Sequence, residues 1–138
     1  MITTFHEEDI VYQRLNTSAL KTAITGIIKK GKRPLNSTKE DVVINTLPIS
    51  ALQLQEGIVN VNIYVPNLVI TVGGVQDFTQ PDSARLKELT TTAIDLLTDQ
   101  WPESGDINYT VQQQTLFEDE ESKSHYVNIR LQFYAINV

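Results

Sequence analysis

The chain contains no cysteine, a single methionine and a single tryptophan. Without cysteine there is no disulfide framework, no thiolate nucleophile and no cysteine-based zinc site. No apolar run approaches the ~20 residues a membrane-spanning helix needs, so no membrane partner is expected. Basic residues are scarce: eleven Lys/Arg stand against seventeen Asp/Glu, giving a net charge of −6 and a pI near 4.8. That balance gives the surface no global attraction for nucleic acid. Six Gly and five Pro exclude collagen-like and low-complexity chains, and no repeat of 20 to 50 residues points to a solenoid or propeller. The opening MITTFHEEDIVYQR has neither a basic n-region nor an apolar h-region, so no secretory signal is expected.

What is present is 138 residues, 41% hydrophobic and 20% charged, enough for one domain with its own core. From Phe5 to about Ile24 the pattern predicts two helices. Phe5, Ile10, Val11 and Leu15 are placed on the apolar face of the first, and Thr17 or Ser18 caps the second. Asp41 to Leu47 is a short β-branched strand. In Ile58 to Val65, Val59, Val61, Ile63 and Val65 alternate with Asn60, Asn62 and Tyr64. Thr79 to Ser83 carries helix-start signals, and Leu86, Leu89, Ala93, Leu96 and Leu97 form a stripe on a helix running to about Asp99. Two alternating strands follow, one from Ile107 and one through Val127, Ile129, Leu131, Phe133 and Ala135, joined by an acidic turn. This order predicts a single α+β domain: a mainly antiparallel sheet of four to five strands with helices packed on one face.

Motifs that carry chemistry are missing. HExxH, a calcium loop, a Walker loop and GxSxG do not occur, and Gly73-Gly74 lacks the spacing of a dinucleotide fingerprint. His6, Glu7, Glu8 and Asp9 fan out around a helix and cannot converge on one ion, so a solvated acidic N-terminus is expected. No catalytic, cofactor-binding or metal residue is assigned, and no cofactor is expected. A rival enzymatic reading would need a cleft built from Tyr12, His6 and His125. A rival adaptor reading would bind a peptide along a sheet edge.

Three segments stand out as interaction candidates. Lys29, Lys30, Lys32, Arg33 and Lys39 crowd into eleven positions, and Glu118, Asp119, Glu120 and Glu121 form an opposite charge run. They read either as solvated loops or as complementary surfaces of neighbouring copies meeting head to tail. The third, Leu68 to Phe78, is rich in apolar residues (Leu68, Val69, Ile70, Val72, Phe78) yet broken by two glycines. A β-ribbon and a mobile loop both fit it, either packed on its own sheet or exposed to a partner.

The layout as a whole is familiar. A helical start leads through ITGIIKKGKRPLNSTKEDVVINTLPI into IVNVNIYVP, and after one amphipathic helix a strand pair ends in HYVNIRLQFYAINV. From about Ile10 to Val138 this resembles the tail terminators, or tail-completion proteins, of long-tailed bacteriophages and the related head–tail joining proteins. The resemblance implies a homo-oligomeric ring, six copies in that family, closing the tail tube and joining it to the head. Its partners would be the tail tube protein and the head–tail connector proteins, with DNA passing through the lumen without specific binding. The setting implied is the virion tail or neck, assembled in the cytoplasm of a bacterial host. Geometry permits such a ring. A chain of this length has a radius of gyration of roughly 14 Å, and six touching spheres of that scale leave a hole wider than a DNA duplex.

Overall fold

Each helix begins where a capping side chain precedes an apolar stripe. In the computed structural model, which describes residues 1–103 and 105–137, Thr3 Oγ1 accepts the His6 N–H at 3.1 Å and opens α1 (Thr4–Asn16). Ser18 caps α2 (Ala19–Ala23) through the Leu20 N–H, and Asp82 caps α3 (Ser83–Leu97) through the Arg85 N–H. α3 stops at Leu97, short of Asp99, whose φ of 49° is incompatible with a continuing right-handed helix.

The strands are β1 (Ile28–Lys30), β2 (Asp41–Thr46), β3 (Leu54–Pro66), β4 (Ile70–Val72), β5 (Val75–Asp77), β6 (Ile107–Asp119) and β7 (Ser124–Ile136). Five of them form one sheet in the order β1-β2-β3-β7-β6; only β1 and β2 run parallel. β4 and β5 form a separate two-stranded ribbon. β7 lies between β3 and β6, and it packs its alternate residues Val127, Ile129, Leu131, Phe133 and Ala135 under the helices. Val59, Val61, Ile63 and Val65 of β3 share that face, as do Val42 and Ile44 of β2. Leu86, Leu89, Ala93 and Leu97 of α3 and Ile10, Val11 and Leu15 of α1 close the core from the helical side. Tyr109 and Phe133 stack at 4.5 Å within it, and burial pushes the Tyr109 phenol up to about 12. The result is one α+β domain with its helices on one face of the sheet, as the alternation predicts.

Two expectations for α1 need correction. Phe5 is 75% exposed, whereas Glu7, expected in solvent, is fully buried. The phase explains both, since Phe5 lies about 140° around the helix from Ile10, while Glu7 lies about 40° from Val11. The basic stretch after Ile28 also differs from a plain loop. Ile28 buries beside Val42, which draws Lys29 and Lys30 into β1 along the sheet edge. Finally, the alternation of β6 breaks at a bulge between Val111 and Gln113, and from Gln112 to Glu118 every residue is exposed.

Candidate interaction surfaces

The register brings one end of β2, β3, β7 and β6 together: Asp41 lies opposite Tyr64, Tyr64 opposite Tyr126, and Tyr126 opposite Phe117. The three rings stack across the open face of the sheet, with centroids 4.6 Å apart for Tyr64–Tyr126 and 5.3 Å for Tyr126–Phe117. Burial raises the Tyr64 phenol above its ordinary range. Arg33 caps the stack with its guanidinium 4.6 Å from the Tyr64 centroid.

Arg33 is more than a loop cation. Its Nε donates to Asp41 Oδ2 at 3.0 Å, one terminal nitrogen donates to Ser122 and Ser124, and the other to the Lys39 carbonyl at 2.7 Å. Asp41 in turn accepts from Ser37 Oγ and the Ile27 N–H. The segment between β1 and β2 is therefore folded against the β6–β7 turn of its own chain, leaving a cleft of about 430 Å³ lined by Arg33, Leu35, Asp119 and Glu121 among others. Lys30 is engaged as well: it pairs with Asp9, which holds its amine above the usual range, and lies 5.0 Å from the Tyr12 ring centroid. Lys29, Lys32 and Lys39 are exposed, as are Glu118, Glu120 and Glu121. Asp119 accepts from Ser122 Oγ at 2.9 Å.

The apolar segment reaches the same end. Gly73 and Gly74, at φ 58° and 81°, make the tight turn that pairs Val72 with Val75 in the ribbon β4–β5. Asn67 pins its base: the backbone N–H donates to the Lys123 carbonyl, the side-chain amide donates to the Phe78 carbonyl, and Oδ1 meets His125 Nδ1 at 2.6 Å. Lys123 lies 4.7 Å from the Phe78 ring centroid, and Asp77 accepts from the Thr79 N–H and hydroxyl, bonds that hold its carboxyl below the usual range. Above this base Leu68, Val69, Ile70, Val72 and Val75 are all exposed. The segment is thus a projecting ribbon and does not pack on its own sheet. A cleft of about 500 Å³ separates its exit strand from Glu118 and Glu120.

Sequence reasoning missed one surface. β6 is an edge strand, and beyond its bulge the helices no longer cover it. An open groove of about 290 Å³ runs between α3 and β6, lined by Leu86, Lys87, Thr90, Ile94, Leu116 and Val127 among others. Thr90 Oγ1 is buried there without a hydrogen-bond partner among the described residues. The signal lay in Gln112-Gln113-Gln114, where alternation stops before Leu116 and Phe117 turn apolar again.

The His6, Tyr12 and His125 cleft does not form. His6 Nε2 meets Glu103 Oε1 at 3.0 Å on the turn leading to the start of β6, Tyr12 lies beside Lys30, and His125 sits at the opposite end of the sheet beside Asn67. Among the described residues, no group of three or more His, Asp or Glu side chains is placed to hold a metal ion. Among the described residues, no helix is long and apolar enough to cross a membrane.

Beside the aromatic stack, the open face of the sheet carries a row of amides with Arg130 of β7 among them. Asn60 donates to Asn45, and Asn128 donates to both Asn60 and Asn62, so a hydrogen-bonded ladder spans β2, β3 and β7.

No protein-family model matches the chain, and no curated protein matches it. The fold is similar to that of a chain in a solved structure described as the virion of a native gene transfer agent (GTA) particle. The TM-score is 0.59 over 92% of this chain and 92% of that one, at 13% sequence identity. At that identity the likeness is one of fold.

Proposed function

We propose that this chain is a structural protein of a phage-like virion that works as a ring of copies, six in the fullest form of the reading, closing the tail tube and joining it to the head. The observation that carries the reading is the fold likeness, over nearly the whole length of both chains, to a component of a virion particle. The sequence resemblance to tail terminators points the same way.

The surfaces suit such a role. The ribbon offers apolar contacts away from the core, and Lys29, Lys32 and Lys39 together with Glu120 and Glu121 offer charge to neighbouring copies or to tube and connector proteins. The amide ladder gives the open sheet face a stretch of neutral groups that satisfy one another around Arg130, a lining with few charges to hold DNA as it passes. The reading involves no catalytic step and no cofactor, and it places the protein in the virion after assembly in a bacterial cytoplasm.

Light scattering over a wide range of protein and salt concentration tests this, with electron microscopy of the same samples. A discrete mass near six copies, appearing as closed rings, is the expected result. A chain that stays monomeric at every concentration and forms no ring on tail tubes overturns the reading.

A further inference from the structure

Two of the exposed apolar features of this chain, the ribbon and the groove beside β6, are a donor and an acceptor of the same kind. The ribbon carries free strand edges, because among the described residues β4 and β5 pair only with each other. Beyond its bulge β6 has one edge unpaired among the described residues, and beside it lies the open α3–β6 groove. An unpaired strand edge is a template for another strand, and an exposed apolar ribbon needs cover.

We infer that the ribbon Leu68–Phe78 of one copy adds to the free edge of β6 in the next copy and lays its valines into the α3–β6 groove. This rests on the ring reading above and names the contact that would build the ring.

Three observations favour a second copy as the occupant. The ribbon occurs once per chain, and of the two sheet edges only β6 is long and flanked by a groove, since β1 is three residues long and carries Lys29 and Lys30, so copies satisfy one another without a further component. Their charges are complementary: Asp77 is the only ionised side chain in the ribbon, and Lys87 the only one lining the groove. Glu118, Glu120 and Glu121 beside the end of β6 would repel an acidic partner, whereas the ribbon from Leu68 to Gln76 carries no charge. The ribbon's own groove stands open while Ile70, Val72 and Val75 remain exposed, so the contact is not made within the chain.

Donor and acceptor are different patches, so the contact is heterologous and propagates from copy to copy until it closes. A standard stable interface draws about 20–30 residues from each side. The ribbon supplies roughly half that number, so one contact is weak and closure of the ring, in which every copy makes two, is what holds it.

The absence of native cysteine makes the test direct. Val72→Cys and Leu116→Cys are each introduced alone into the full chain, mixed at the highest concentration the protein tolerates, and oxidised mildly. Val72 is 70% exposed and Leu116 52%, so neither change disturbs the core. Val72→Cys mixed with Leu35→Cys, at a position 91% exposed, measures random collision. The expected result is a several-fold higher yield of the Val72–Leu116 dimer than of the Val72–Leu35 dimer. In the double variant Val72→Cys/Leu116→Cys it is a ladder of linked chains. Equal yields overturn the proposal, as does a double variant that closes on itself as a monomer, because the ribbon then covers its own groove. Light scattering on the unmodified chain separates the two failures. A discrete ring, in solution or on tail tubes, without the selective cross-link overturns this interface and leaves the ring reading standing, whereas a monomer that forms no ring on tail tubes and gives no selective cross-link overturns both.

Discussion

Glu7 occupies the buried face of α1 in the space that Gly57 leaves on β3, and both of its carboxylate oxygens lack a hydrogen-bond partner among the described residues. A Cβ on residue 57 would collide with it, so the glycine is what makes room. Loss of hydration, with no compensating charge, raises its pKa from 4.5 to about 7. The folded chain therefore holds a proton that the unfolded chain releases between pH 4.5 and 7. The stability this contributes is fully present below pH 4.5, falls as pH rises, and is gone above about 7. At about 1.4 kcal/mol per pH unit the whole swing is about 3 kcal/mol. Glu7→Gln keeps the shape without the titration. Urea denaturation should show the variant more stable than the parent at pH 8 by roughly 2–3 kcal/mol, with little difference at pH 4.5. An equal effect at both pH values would mean that Glu7 acts through packing and not through its charge.

At the scale of elements, the segment between β1 and β2 is held by one side chain. Arg33 joins it to Asp41, to the β6–β7 turn and to the aromatic stack, and both partners of the ion pair are largely buried, at 10% and 2% side-chain exposure. Arg33→Ala leaves the Asp41 carboxylate buried with Ser37 and a backbone N–H as its remaining donors, and a loss of about 3–5 kcal/mol is expected. Arg33→Lys should recover little, because an ammonium cannot reach these acceptors while lying flat on Tyr64. Denaturation with hydrogen exchange across residues 31–40 checks this. A loss under 1 kcal/mol, a size typical of exposed pairs, would show the hub to be superficial. These elements also mark the limit of what the sequence discloses. The strands β3 and β7 and the stripe of α3 are legible because period-2 and period-3.6 patterns follow directly from burial on one face. Arg33 is not, since a cation in a run of cations looks solvated until the chain folds Asp41, Ser122 and Ser124 around it. The α3–β6 groove is hidden for a similar reason: it depends on which strand ends up at the edge, which local periodicity does not encode. The candidate segments themselves were legible, but that all three converge on one end of the sheet follows from the strand register.

For the whole molecule, the ribbon is an appendage whose loss should separate stability from assembly. Replacing residues 69–77 with a two-residue turn removes no buried apolar side chain, so thermal unfolding should change by no more than about 0.5 kcal/mol. The same variant should lose any oligomer seen by light scattering. Unfolding of the domain would mean instead that the ribbon supports the core. The sheet order has one more effect. β7 is made after every strand it joins, yet it stands between the β1-β2-β3 set and β6. Its partners across the long pairing lie far back in the chain, Leu54 against Ile136 at one end and Pro66 against Ser124 at the other. During synthesis on the ribosome, the earlier segments therefore wait as two unconnected halves with bare edges. Any product broken off before Ser124 lacks the keystone strand, so only chains translated past it can fold, and truncated copies are left out of whatever the finished ones build.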